Sequence, residues 1–191
     1  MQVLLINGSP HAKGNTYDAL RIVEQELVSK NITTEIIQLG GINIKGCQGC
    51  QTCWQNKDAK CVICDDLQPI MKKCFDKNTK CIVIGSPTYF SNVTAETKAF
   101  IDRVGYVAKA NNGLLRYKIG APVVIDRRAG ANFVYSAINF FFGINEMVIA
   151  TSSYWNSGKA RKSHELMNDV EGVQTFKTLA QNIARLIFND S

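Results

Sequence analysis

Short apolar runs alternate along this chain with stretches whose apolar positions recur every three or four residues. The runs at 3–6 (VLLI), 80–85 (KCIVIG) and 121–126 (APVVID) are apolar through their centres, the pattern of strands covered on both faces. A weaker alternating run at 34–39 is the second strand in chain order, and 146–150 is the fifth. Between them lie five helical repeats. The first covers about 15–30, with Leu20, Val23 and Leu27 on one stripe. The second starts behind a capping Asp65 or Asp66 and buries Leu67, Ile70, Met71 and Cys74. The third covers 94–104, the fourth carries Phe133, Val134, Ala137, Ile138 and Phe141, and the last runs over about 172–188. Strict strand–helix alternation predicts an α/β fold: one doubly wound, five-stranded parallel sheet of order 2-1-3-4-5. A single domain over residues 1–191 is expected, with a cysteine-rich insertion at about 43–64 after the second strand. The polar stretch 151–169 has no period and is expected to form a flap or a subunit contact.

That strand order is the flavodoxin-like one, and such sheets bind ligands beyond the carboxyl ends of their strands, near the switch point between strands one and three. The informative loops are therefore those after Ile6, Gly85 and Asp126. Composition adds exclusions. No apolar run approaches the roughly 18 residues of a membrane span, and the N-terminus passes straight from an apolar run into a glycine turn, so it reads as a strand rather than a leader. The net charge of +6 is scattered, without a recognition motif or a basic stripe interleaved with aromatics, so neither nucleic acid nor membrane is an expected partner. Seven cysteines without an export signal point to a reducing, cytoplasmic setting.

Five of those cysteines fall in CQGCQTCWQNKDAKCVIC, residues 47–64. Three thiols at two-residue gaps, Cys47, Cys50 and Cys53, can converge on one centre, with Cys61 or Cys64 as the fourth. An iron-sulfur cluster takes four thiolates, and the ferredoxin run also begins with three cysteines spaced by two, although its fourth lies closer. Zinc would use Cys50, Cys53, Cys61 and Cys64 as two CxxC knuckles, but the seven residues between them are fewer than a zinc ribbon has. The cluster ranks above zinc, with free, partly packed thiols as the remaining reading.

After the first strand, NGSPHAKGNT (7–16) brings Gly8, Gly14, Ser9, Asn15 and Thr16 to a strand-to-helix junction, where unpaired helix amides receive phosphate; His11 and Lys13 add charge. It is neither a Walker loop nor the dinucleotide fingerprint. After the third strand, GSPTYFSNV (85–93) sets Pro87, Thr88, Tyr89 and Phe90 beside the crevice as a platform for a planar ring. After the fourth, Arg127, Arg128 and Gly130 border the same ring or an anionic reductant.

These loops resemble those of the NAD(P)H-dependent FMN reductase family, in GSPHAKGNT, in SPTYFSNVTAETKAFIDR and in the late DVEG. The cysteine run resembles that of its iron-sulfur flavoprotein subgroup, with Cys47, Cys50, Cys53 and Cys61 as the matching set. The resemblance implies non-covalent FMN, phosphate held by Ser9, His11, Asn15 and Thr16, and an isoalloxazine along Pro87, Thr88, Tyr89 and Phe90. It also implies a [4Fe-4S] cluster, NAD(P)H or ferredoxin as electron donor, a small-molecule acceptor, and a homodimer or dimer of dimers. Two departures stand out: His11 occupies the place of the family's usual arginine, and RAGANF (128–133) that of its GGxE-like segment.

Overall fold

The computed structural model describes residues 1–189. In chain order it comprises β1 (Gln2–Asn7), α1 (Asn15–Val28), β2 (Thr33–Gln38), α2 (Thr52–Asn56), α3 (Leu67–Phe75), β3 (Thr79–Pro87), α4 (Ala95–Ala110), β4 (Ile119–Asp126), α5 (Ala131–Ile144), β5 (Val148–Ile149), β6 (Ser157–Lys159), a 3-10 turn (Glu165–Asn168) and α6 (Val170–Asn189). The strands pair in parallel in the order β2-β1-β3-β4-β5, as the alternation predicts. Because successive strand residues point to opposite faces, β1 sends Val3 and Leu5 to one side and Leu4 and Ile6 to the other. Val3 and Leu5 join a core with Cys81, Val83 and the inner stripes of α1 and α6. Leu4 and Ile6 join Ile82, Ile84 and the buried residues of α3, α4 and α5. Both cores are mainly aliphatic and aromatic, so the sheet is covered on both faces, as parallel sheets are.

The fifth strand departs from expectation. Of the run 146–150, only Val148 and Ile149 pair, against Ile119 and Gly120 at the start of β4. The other end of β4 is covered by β6, where Val124, Ile125 and Asp126 meet Ser157, Gly158 and Lys159. Asn156 closes the gap from inside: it is fully buried, its carbonyl accepts from the Val124 amide (2.9 Å), and its side chain bonds Ser152 and the Ala150 carbonyl. A polar three-residue strand has no periodicity to read, so 151–169 carries more order than its pattern announces.

Two further differences concern helices. α2 is a five-residue turn inside the cysteine segment, anchored where the Trp54 ring meets Tyr106 of α4 edge-on at 5.9 Å. α4 runs six residues past its expected end, because its apolar face continues through Val107 and Ala108 into the core. Among the described residues, no helix is long and apolar enough to cross a membrane.

Candidate functional site

β1 and β2 end together, Asn7 paired to Gln38, while β3 passes Asn7's partner Gly85 and ends two residues on at Pro87. Asn7 is fully buried; its side chain donates to Gln38 Oε1 (2.5 Å) and accepts from the Ser9 amide (3.2 Å). Gln38 in turn donates to the Ser9 carbonyl (2.7 Å). The chain turns at Gly8, where a Cβ would stand 1.9 Å from Thr97 Oγ1 and 2.9 Å from the Gly85 carbonyl oxygen, so no other residue fits without movement. Thr94, the N-cap of α4, donates its hydroxyl to the Gly8 carbonyl (2.6 Å). The loop is thus held by three strand ends and α4 before it enters α1.

Gly14 caps α1 without a side-chain bond, which leaves the first amides of the helix unpaired within it and gives the loop a positive lip. Ser9 is buried, and its Oγ accepts from the His11 amide (3.1 Å), so the hydroxyl hydrogen remains for a ligand. Asn15 is used differently from expectation. Its side chain donates to the Lys162 carbonyl (2.8 Å) and accepts from the Leu166 amide (3.1 Å), bracing the 162–166 loop against α1. His164 meets Asp18 at 2.8 Å in the same brace.

A cavity of about 620 Å³ opens over this lip, within the usual size range for small-molecule sites. Of the expected cofactor residues, Ser9, His11, Lys13, Asn15, Thr16, Pro87, Thr88 and Tyr89 line it. Phe90 and Gly130 do not. Phe90 and Ser91 form the tip of a tight turn in which Tyr89 and Asn92 exchange two 2.9 Å backbone bonds. Both tip residues have left-handed φ, +48° and +58°, and the Phe90 ring is fully exposed. Gly130 (φ +93°) caps α5 behind that turn, where a Cβ would come within 2.8 Å of Ser91 Oγ and 3.0 Å of Thr88 Cγ2, so it supports the platform from outside.

Asp126, Arg127 and residues 160–163 complete the wall. Arg161 and Lys162 escaped the sequence reading because they sit in the unpatterned stretch; the cations of GKARK were the available signal. Burial pushes the Asp126 carboxyl above the ordinary range, tempered by Lys159. Lys13 and Arg127 form no ion pair among the described residues, so the wall has free cationic charge. The Thr88 hydroxyl oxygen is buried without a hydrogen-bond partner among the described residues.

A second, small cavity lies against α4, lined among others by Cys47, Cys50, Cys53, Cys61, Arg103 and Tyr106. The four cysteines matched to the iron-sulfur subgroup therefore share one space, whereas Cys64 is exposed outside it. No three described His, Cys, Asp or Glu side chains stand close enough together to hold a single metal ion. The Thr52 hydroxyl lies 3.4 Å from the Cys50 sulfur and, with the Thr52 amide, lowers that thiol's pKa; burial raises that of Cys53. Cys74 and Cys81 are core residues whose thiols burial pushes up, Cys74 to about 12.

A doubly wound parallel sheet with an anion-receiving loop at its switch point defines a flavodoxin-like protein, and solved structures agree on the fold. RosB with a bound riboflavin phosphate intermediate aligns over 100% of this chain and 81% of its own at 14% identity, with a TM-score of 0.75. A flavodoxin from the domain Archaea aligns over 98% and 99% at 16% identity and a TM-score of 0.64. The model of the NADPH-dependent FMN reductase family matches residues 1–162, and the chain belongs to that family. It is accordingly a flavin-dependent oxidoreductase. Iron-sulfur flavoprotein MJ1083 of Methanocaldococcus jannaschii is 31% identical over 98% of this chain and 97% of its own length. An iron-sulfur flavoprotein of Archaeoglobus fulgidus is 38% identical over 70% of this chain and 64% of its own.

Proposed function

We propose that this chain holds FMN in the large cavity and a [4Fe-4S] cluster on its cysteine segment, and couples one- and two-electron transfer between its donor and a small acceptor. NAD(P)H or ferredoxin is the donor. The observation that carries the reading is a pair of separate cavities, each with a buried polar atom that lacks a partner among the described residues: Thr88 Oγ1 in one, Arg103 Nε in the other. Full-length relatives named iron-sulfur flavoproteins support the second assignment.

When bound, FMN supplies hydride or single-electron acceptance. The protein's part is placement. The α1 amides and the Ser9 hydroxyl take the phosphate, and Lys13 and Arg127 balance its charge. Pro87, Thr88 and Tyr89 would support the ring, and the buried Thr88 hydroxyl would offer it a hydrogen bond. At the second cavity, four thiols and one guanidinium match the donor set and charge of a thiolate-held cluster. That space is only about 20 Å³, so uptake requires the exposed chain at Cys47 and Cys50 to open outward.

The second copy implied by the resemblance has a natural seat. α5 leaves Phe133, Phe140 and Ile144 exposed along one stripe and contains no charged residue, so a self-complementary pairing of this helix suits it better than a charged partner. The test of the main reading is iron, sulfide and FMN analysis after anaerobic reconstitution. The wild type should carry all three, and C50S should keep FMN while losing iron and sulfide. Loss of both cofactors together, or no iron uptake by the wild type, contradicts it.

A further inference from the structure

The cysteine segment leaves the fold after β2 and returns before α3, and one side chain from elsewhere grips both crossings. Arg103, on α4, has a side chain with 0% exposure. Its Nη1 donates to the Lys45 carbonyl (3.0 Å) and to Asp65 Oδ2 (2.5 Å), and its Nη2 to the Ile63 carbonyl (3.0 Å). Lys45 precedes the first cysteine of the cavity and Ile63 follows the last. Asp65 completes the knot by accepting from the Lys45 amide (2.9 Å) and the Leu67 amide (3.2 Å), and Asp66 accepts from the Asn43 amide (2.8 Å). The neck of the insertion is therefore closed around the guanidinium.

That leaves Nε. It is buried and has no hydrogen-bond partner among the described residues, in a side chain that lines the cysteine cavity. A buried N–H on a charged group that goes unpaired is costly, and a structure that satisfies the other guanidinium contacts has reason to reserve this one. The polar side chains lining the cavity are Gln48, Gln51, Tyr106 and the four cysteines, and Cys61 is the one whose side chain bears on the guanidinium. Hydrogen bonds to cluster sulfurs and nearby fixed charge are the levers by which a protein sets cluster potential. The reduced cluster carries one more negative charge than the oxidised one, so a cation held beside it favours reduction.

We propose that Arg103 is the positioning residue of the cysteine-held centre, its two Nη groups clasping the neck of the segment and its Nε–H donating to a sulfur of that centre. The inference rests on the cluster reading above and goes beyond it by assigning the group that tunes the cluster. It also gives the pair Asp102–Arg103 unequal roles. Asp102 is a surface partner of Lys98, four residues away on the same helix, whereas Arg103 turns inward to the segment.

The test compares wild type, R103K and D65N after anaerobic reconstitution, with cluster and flavin midpoint potentials read separately. R103K keeps the charge but loses the fork, so its cluster potential should fall below wild type while the flavin potential and FMN content stay unchanged. D65N removes the neutralising carboxylate beside the guanidinium, so its cluster potential should rise. In the metal-free proteins, amide hydrogen exchange over 45–65 should accelerate in both variants, with the phosphate loop unaffected. Unchanged cluster potentials in both variants overturn the proposal even if exchange accelerates, because the clasp alone would then be structural. A flavin potential that moves as far as the cluster's also overturns it. A wild type that takes up no iron or sulfide overturns the cluster reading first and the Nε assignment with it; the two failures are thus distinguishable.

Discussion

The two cavities share no lining residue, and they are built by opposite means. The phosphate loop hangs from three neighbouring strands, and its links tie together residues far apart in the chain: Asn7 to Gln38, Gln38 to Ser9, Gly8 to Gly85 and Thr94. The cysteine segment makes few such bonds. Cys47, Cys50 and Cys64 are exposed, and the segment is held by side chains from elsewhere: Arg103 and Asp65 at its neck, Asn111 at Ala59, Gln68 at Cys61 and Ile63, and Tyr106 against Trp54. A site that a sheet positions exists before its ligand arrives. A site made from a tethered insertion is completed by what it binds, and its ligands need only be gathered, not preset.

The largest effect expected to expose this contrast is at the neck. D65A leaves the Arg103 charge buried without its partner, which typically costs about 3–5 kcal/mol, read as a lower midpoint in chemical denaturation. If the insertion were only loosely attached, the change would cost little. Close behind stands G8A, whose added Cβ meets Thr97 and the Gly85 carbonyl; about 3 kcal/mol or more is expected from such overpacking, with loss of FMN retention. A well-folded G8A that holds FMN normally would mean the loop is softer than its bonds suggest.

S9A probes the cradle more gently. Removing one hydroxyl donor to a charged phosphate is worth about 1.5–3 kcal/mol, so FMN affinity should weaken about tenfold or more, leaving iron uptake intact.

The smallest effect concerns the cavity wall. Because the folded-state pKa of Asp126 lies above its ordinary value, the ionised form is penalised in the folded protein above that pKa, and the penalty disappears as pH falls through it toward the ordinary carboxylate range. D126N should therefore stabilise the fold at neutral pH by about 1 kcal/mol or less, read as a small rise in Tm, and the gain should vanish under acid conditions. A gain of equal size at both pH values would assign it to packing.

The same contrast governs what could be read from residues alone. Continuous apolar runs announced β1, β3 and β4, and the glycine and hydroxyl cluster at 8–16 announced the cradle, because each is encoded within a few neighbouring positions. The split of the fifth strand was not legible, since β6 is three polar residues held by their partner β4 and by the buried Asn156. The brace role of Asn15 depends on residues 162 and 166, about 150 positions away. The four cysteines could be picked out by spacing, but the guanidinium among them could not, because Arg103 reaches them from another helix. Long-range side-chain geometry, and not local propensity, accounts for what was missed.

The central claim is that the loop after β1 is a phosphate receptor, and a paired titration of the flavin-free protein with FMN and with riboflavin tests it most directly. The account predicts one FMN bound per chain and riboflavin, which differs only in lacking the phosphate, binding at least about a hundredfold more weakly, as the loss of several charge-assisted bonds requires. Equal affinity for the two, or no uptake of FMN, would contradict it.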